Sequence, residues 1–280
     1  MATQIYAIHG SVYKTWVPLV IALLERKTKT SYKSLFDVLK TEVQRRFNRQ
    51  LDPPRVSTDY ETAAISAAQE SFPGTIVSGC LFHLGQSFWR KLQTEGLTEE
   101  YRREANEELR ADFHSLIALA FVPEEDVIEA FESLAASASE ELQPVLDHVE
   151  DNYVRGRRRG RGRTAPAFPP SIWSCYDRAL EGLPRSTNTA EAWHRRLNSL
   201  VGKHHPSLFT LIHHLQEEVA QIDVTIDRAE GGESPPAKKA KHLRIDERIP
   251  KIVERYQEYK DDDDVLGYLR ALGHNVAGNF

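Results

Sequence analysis

Arg55-Val-Ser-Thr-Asp-Tyr-Glu61, followed by an Ala-rich run to Glu70 and then by Thr75-Ile-Val-Ser-Gly79, is the stretch whose reading decides the fold. After the Asp52-Pro-Pro54 turn, Arg55–Thr58 reads as a strand that delivers Asp59 at its C-terminal end. Glu61 to Glu70 has strong helix propensity, and Thr75–Gly79 returns to β-branched residues. Strand, helix, strand is an α/β pattern, and the carboxyl ends of such strands are where ligand-binding groups gather. Asp59 stands at one.

Working outward toward the N-terminus, Gln4–His9 alternates in polarity and reads as a strand. Val17–Leu24 is a continuous apolar run that suits a strand buried on both faces, with a short buried helix as the alternative. Ser31 is placed to cap a helix carrying Tyr32, Leu35, Phe36, Leu39 and Val43 as one apolar stripe. Toward the C-terminus the chain turns helical, with segments at 84–92, 99–121 and 123–138, so that about 84–153 forms an all-α insertion. Arg155–Arg163 then carries six arginines and no acid, and is expected as a mobile or ligand-ordered loop. A helix from Asn188 has Ala190, Trp193, Leu197 and Leu200 on its apolar side. A second, from Ser207 to about Ile226, carries Leu208, Leu211, Ile212, Leu215 and Val219. Residues 231–248 have linker composition, and 249–280 form a helical tail. The string Tyr259-Lys-Asp-Asp-Asp-Asp264 flows into apolar helical pattern on both sides, which marks it as native. No internal repeat occurs.

The 280 residues suffice for a sizeable core, and the net charge of −5 excludes a protein that coats nucleic acid through a global basic excess. Any polyanion site must be local. Two cysteines, Cys80 and Cys175, are too few for a disulfide framework and point to a reducing compartment, nuclear or cytoplasmic. Pro235-Pro-Ala-Lys-Lys-Ala-Lys241 has the look of a nuclear-import signal. The longest apolar run, Trp16–Leu24, is about half of a bilayer span and no basic region precedes it, so neither a membrane segment nor a signal peptide is expected.

Cys80 and His83 have the spacing of half a zinc site, which Cys175, His194, His204 or His205 could complete; the alternative is a buried cysteine beside a hydrogen-bonded histidine. Arg155, Arg157, Arg158, Arg159, Arg161 and Arg163 can neutralise phosphates without reading bases. Trp89 beside Arg90 and Lys91, and Trp193 beside Arg195 and Arg196, could add stacking next to charge, although a tryptophan at helical spacing is more often a core residue.

Five blocks fall in order: Ile5-Tyr-Ala-Ile-His-Gly10, Val17–Leu24, Ser57-Thr-Asp-Tyr-Glu61, Gly79-Cys-Leu-Phe-His83 with Gln86, and Thr187-Asn-Thr-Ala-Glu-Ala-Trp-His194. With them the sequence resembles the Mutator-like element (MULE) transposases across nearly its whole length. The resemblance implies an RNase H-like mixed sheet over residues 1–230, interrupted by the helical insertion and followed by C-terminal helices. It implies metal-dependent cleavage and strand transfer of DNA, in which three acids hold two Mg²⁺ or Mn²⁺ ions. Asp59 would be the second acid and Glu191 the third, with Asn188, Trp193 and His194 shaping the pocket. The first acid belongs to an Asp-Gly-Thr-like motif on a strand ahead of Gln4. That strand is absent, and Asp37, Asp52 and Asp112 lie in helix or turn contexts that do not replace it. The expectation is a transposase-like domain whose metal site is incomplete, with an unpaired sheet edge at Ile5. The alternative is a domesticated, non-catalytic DNA-binding or protein-interaction module. DNA is the implied partner, and a homo-oligomer is compatible with it.

Overall fold

The computed structural model of the chain describes residues 4–186, 188–201, 207–234 and 240–276. Thr187, His204, His205 and Pro235–Lys239 of the candidate import signal fall outside them. In chain order the elements are β1 (Gln4–Val12), β2 (Thr15–Leu24), α1 (Lys29–Phe47), β3 (Arg55–Thr58), α2 (Thr62–Ser71), β4 (Ile76–Gly79), α3 (Leu81–Thr94), α4 (Thr98–Arg102) and α5 (Glu107–Ala118). They continue with α6 (Val127–Ser137), α7 (Gln143–Val149), β5 (Arg158–Arg159), β6 (Gly162–Arg163), α8 (Pro170–Trp173) and α9 (Tyr176–Leu180). Then come α10 (Asn188–Val201), α11 (Leu208–Glu230), α12 (Ala240–Val253), α13 (Tyr256–Asp261) and α14 (Val265–Val276). The protein is a mixed α/β chain with small sheets. Among the described residues the strands form three two-stranded pairs, β1–β2, β3–β4 and β5–β6, where the sequence pointed to one mixed sheet. No helix of the described residues is long and apolar enough to cross a membrane.

The chain divides into two compact units. The first comprises Met1–Leu51, Ser66–Ser71 and Thr187–Lys238. Here β1 and β2 pair antiparallel through Tyr13 and Lys14, both with positive φ, the two-residue turn whose twist matches that of the strands it joins. A register shift between Ile8 and His9 bends the ribbon. Val17 and Pro18 are buried, but Trp16, Leu19 and Leu23 are exposed, so Val17–Leu24 is a strand and not one covered on both faces. The α1 cap is Thr28, whose hydroxyl accepts from the Ser31 N–H at 3.2 Å; Ser31 sits inside the first turn instead of starting it. Helices α10 and α11 pack on each other and on β2. Trp193 and Leu197 of α10 are buried, whereas Leu200 is exposed. Ser207 caps α11, and Leu208, Ile212 and Val219 of its apolar stripe remain exposed.

The second unit comprises Asp52–Ile65, Phe72–Ser186 and Lys239–Phe280. Parallel strands β3 and β4 pair Arg55 with Ile76 through Thr58 with Gly79. The helices after them share one continuous core, including Leu84, Leu92, Phe113, Leu116, Phe121, Leu134 and Leu146. The 99–121 segment is two helices: Arg110 donates to the carbonyls of Tyr101, Arg103 and Glu104 and satisfies the end of α4 where the chain breaks. Residues expected as linker are helical from Ala240, and the expected tail supplies Ile249, Val253, Tyr268, Leu269, Leu272 and Val276 to the core. Asp264 accepts from the Gly267 N–H at 2.9 Å and caps α14, which gives the acidic string a structural place.

Candidate active site

The carboxyl ends of β3 and β4 lie side by side, and the Cys80 N–H donates to the Thr58 carbonyl at 3.1 Å. The Glu61 N–H reaches back to the Asp59 carbonyl at 2.7 Å, so the chain turns sharply and leaves the Asp59 side chain exposed. Tyr60 fixes that turn. Its ring packs edge-on to Phe168, at 5.1 Å between centroids, and to Tyr153 at 6.1 Å. It also lies so close to β4 that a Cβ on Gly79 would stand 2.5 Å from Tyr60 Cζ. Glycine at 79 is therefore a condition for Asp59 to be presented where it is.

Cys80, fully buried, precedes α3, and His83 lies one turn in. His83 Nδ1 is 3.0 Å from Asp59 Oδ1, within ion-pair range. The Asp59 carboxylate and then the Cys80 thiol hold the imidazole pKa up, to about 10, against the opposing effect of burial. At neutral pH the imidazole is held in its protonated form. Beneath it lies Arg178, buried and unforeseen from sequence, donating to the carbonyls of Gly79 and Ser174 at 3.1 Å each and to Cys175 Sγ at 3.0 Å. Its position three residues after Cys175, one turn on, was the only sequence signal for it. Burial pushes the Cys175 thiol up, which makes it a structural group and not a nucleophile.

A divalent cation fits this end of the unit in one respect. Asp59 offers an exposed hard oxygen ligand, as Mg²⁺ or Mn²⁺ requires, and His83 stands beside it. The pair thus presents a carboxylate already partly neutralised.

Other sequence-derived candidates belong to the first unit. Glu191 lies half-buried in the first turn of α10, where a carboxylate is favoured by the helix dipole. Trp193 is a core residue: its Nε1 donates at 2.9 Å to Glu218, which is buried and also takes Arg196 at 2.5 Å, joining α10 to α11. His194 lies edge-on to Trp193 at 4.9 Å, and His9 faces Trp193 at 5.6 Å. Burial, then the charge of His194, lowers the His9 pKa to about 4. The side chain of Asn188 lies outside the described residues. Trp89, in the second unit, packs edge-on against Tyr101 and Phe113 and is also core.

The arginine segment is ordered by the protein itself. α7 runs into a π-helical turn at Glu150–Val154, and β5 and β6 then pair Arg158 with Arg163 and Arg159 with Gly162. Gly156, at φ +81°, meets Thr164 so closely that an added Cβ would stand 1.8 Å from its carbonyl oxygen. Arg155 pairs with Glu132 and Glu150, and Arg163 with Glu150 at 2.7 Å. Arg157, Arg158, Arg159 and Arg161 are exposed.

Residues 3–87 match the family model of the MULE transposase domain, a span that holds both β1–β2 and the Asp59, Cys80 and His83 turn. No curated protein and no solved structure matches the chain.

Proposed function

We propose that the chain is a transposase-derived, RNase H-like domain that engages DNA at the carboxyl ends of β3 and β4, with Asp59 as a metal-binding carboxylate. The single observation that carries this reading is the Asp59–His83 ion pair at the end of a parallel strand pair, inside the span that matches the MULE model. The chemistry of that family is metal-dependent, and a divalent ion held there would neutralise charge developing on a phosphodiester. The chain's own groups do the positioning. Tyr60 against Gly79 sets the backbone, and His83 fixes the carboxylate rotamer. The motifs supply two acids for such chemistry, Asp59 and Glu191, and His83 offsets the charge of the first.

Calorimetric titration with Mn²⁺, alongside a supercoiled-plasmid nicking assay, tests this. Mn²⁺ binding that weakens in Asp59→Asn supports the reading. Equal Mn²⁺ binding by both proteins overturns Asp59 as a ligand. Metal-dependent nicking that disappears in Asp59→Asn supports it further, with Asp59 acting in the cleavage.

A further inference from the structure

The six arginines of 155–163 do two different jobs. Arg155 and Arg163 are latched by carboxylates, Glu132 and Glu150 for the first and Glu150 for the second, and Arg163 also donates to the Gly156 carbonyl at 2.8 Å. Thr164 closes the base, its N–H donating to the Arg157 carbonyl at 2.9 Å and its hydroxyl accepting from the Arg157 N–H at 3.2 Å. The return segment is tied down by Trp173, whose Nε1 donates to the carbonyls of Tyr153 and Phe168. On this base stand Arg157, Arg158, Arg159 and Arg161, exposed, with no carboxylate of the described residues in ion-pair range. Gly160, at φ +60°, makes the tip.

We propose that these four arginines are a preformed clamp for the phosphate backbone of double-stranded DNA. Four guanidinium groups crowded on one short ribbon repel each other, a cost that a polyanion reverses. Their planar forks match phosphate oxygens, and the latched base means that little ordering entropy is lost on binding. The protein as a whole is acidic, so attraction to a polyanion must come from local clusters such as this finger. A single strand would need aromatic faces for its bases, and among the described residues the nearby large rings are already committed: Tyr153 and Trp173 are buried, and Phe168 packs on Tyr60 and Tyr153. Duplex DNA, which presents its charge on the outside, needs only the arginines. The proposal rests on the preceding reading only in taking DNA as the ligand; it requires neither metal nor Asp59.

The experiment measures affinity of the full chain for a fluorescent duplex of about 30 base pairs in EDTA over a salt series, the site length being chosen to exceed one helical turn several-fold. The expected slope of log affinity against log salt for the Arg157→Ser, Arg158→Ser, Arg159→Ser, Arg161→Ser variant is shallower by about 4, roughly one unit per lost phosphate contact, and equally so on a shuffled sequence. Calorimetric Mn²⁺ binding by the serine variant matches wild type, so loss of the metal site and loss of the clamp are separate results. A fourfold Arg→Lys variant, which keeps charge and size, retains the slope and binds more weakly. An unchanged slope in the serine variant overturns the proposal. So does wild-type binding to single-stranded DNA, RNA or phosphatidylserine vesicles that equals or exceeds duplex binding. Should the serine variant fail to fold, the lysine variant and the Arg159→Gln, Arg161→Gln pair, with an expected slope change of about 2, decide the matter.

Discussion

The two units bury apolar surface to very different degrees. The second encloses Leu109, Phe113, Leu116, Ile117, Leu142 and Tyr268 with essentially no exposure, and its helices from α3 to α9 and from α12 to α14 share that core. The first buries few large side chains, chiefly Tyr32, Phe36, Trp193 and Leu197, and leaves Trp16, Leu19, Phe47, Leu208, Phe209 and Val219 in contact with water. Burial of apolar area is the main favourable term in folding. The comparison therefore teaches that stability resides in the helical unit, which also carries Asp59, His83 and the arginine hairpin, whereas the β1–β2 ribbon and its helices are the weaker part.

The largest expected effect that sharpens this contrast comes from truncation. Leu116→Ala, in the helical core, is expected to cost about 3 to 5 kcal/mol in denaturant unfolding. Phe209→Ala, at 85% exposure, changes stability by less than about 0.5 kcal/mol. Similar costs for the two would break the contrast. Next in size is Gly79→Ala, expected to lose about 1 to 3 kcal/mol by driving a Cβ into the Tyr60 ring. It should also weaken Mn²⁺ binding by moving Asp59, and unchanged Mn²⁺ affinity would uncouple Tyr60 from the site.

How much of this was legible in the sequence follows from the range of each interaction. β3, α2, β4 and the placement of Asp59 were readable because they rest on local propensity and turn chemistry. The cap was misplaced from Thr28 to Ser31 because both hydroxyls belong to one capping turn and are hydrogen-bonded together at 2.9 Å. The Asp59–His83 contact, the latching of Arg155 by Glu132, and the docking of α14 on α5 join residues far apart in sequence. Composition carries no record of such pairings. The arginine run read as a loop because its order comes from Glu132, Glu150, Thr164 and two glycines, not from strand propensity in the arginines.

A smaller effect sharpens the contrast by pH. His9 in the first unit has its pKa lowered to about 4 by burial and then His194, and His114 in the second is lowered to about 4 by burial and then Arg110. A depressed pKa means that the unfolded chain takes up the proton first. Both contributions are intact above about 6.5 and are lost as pH falls from there toward about 4. His83, with its raised pKa, acts with the opposite sign, stabilising below about 6.5 and losing that contribution toward pH 10. Hydrogen exchange followed from pH 7 to pH 4.5, corrected for intrinsic rates, should show β1–β2 opening before α5 and α14. Simultaneous opening would place the two units in one cooperative block.

The most direct measurement of the central claim is affinity cleavage, with Fe²⁺ replacing Mg²⁺ and ascorbate generating hydroxyl radicals that cut the backbone beside the bound metal. The account predicts cuts at Asp59–Tyr60 and within 79–83, suppressed by excess Mg²⁺ and missing in Asp59→Asn. Cuts elsewhere, or an unchanged pattern in Asp59→Asn, would contradict it.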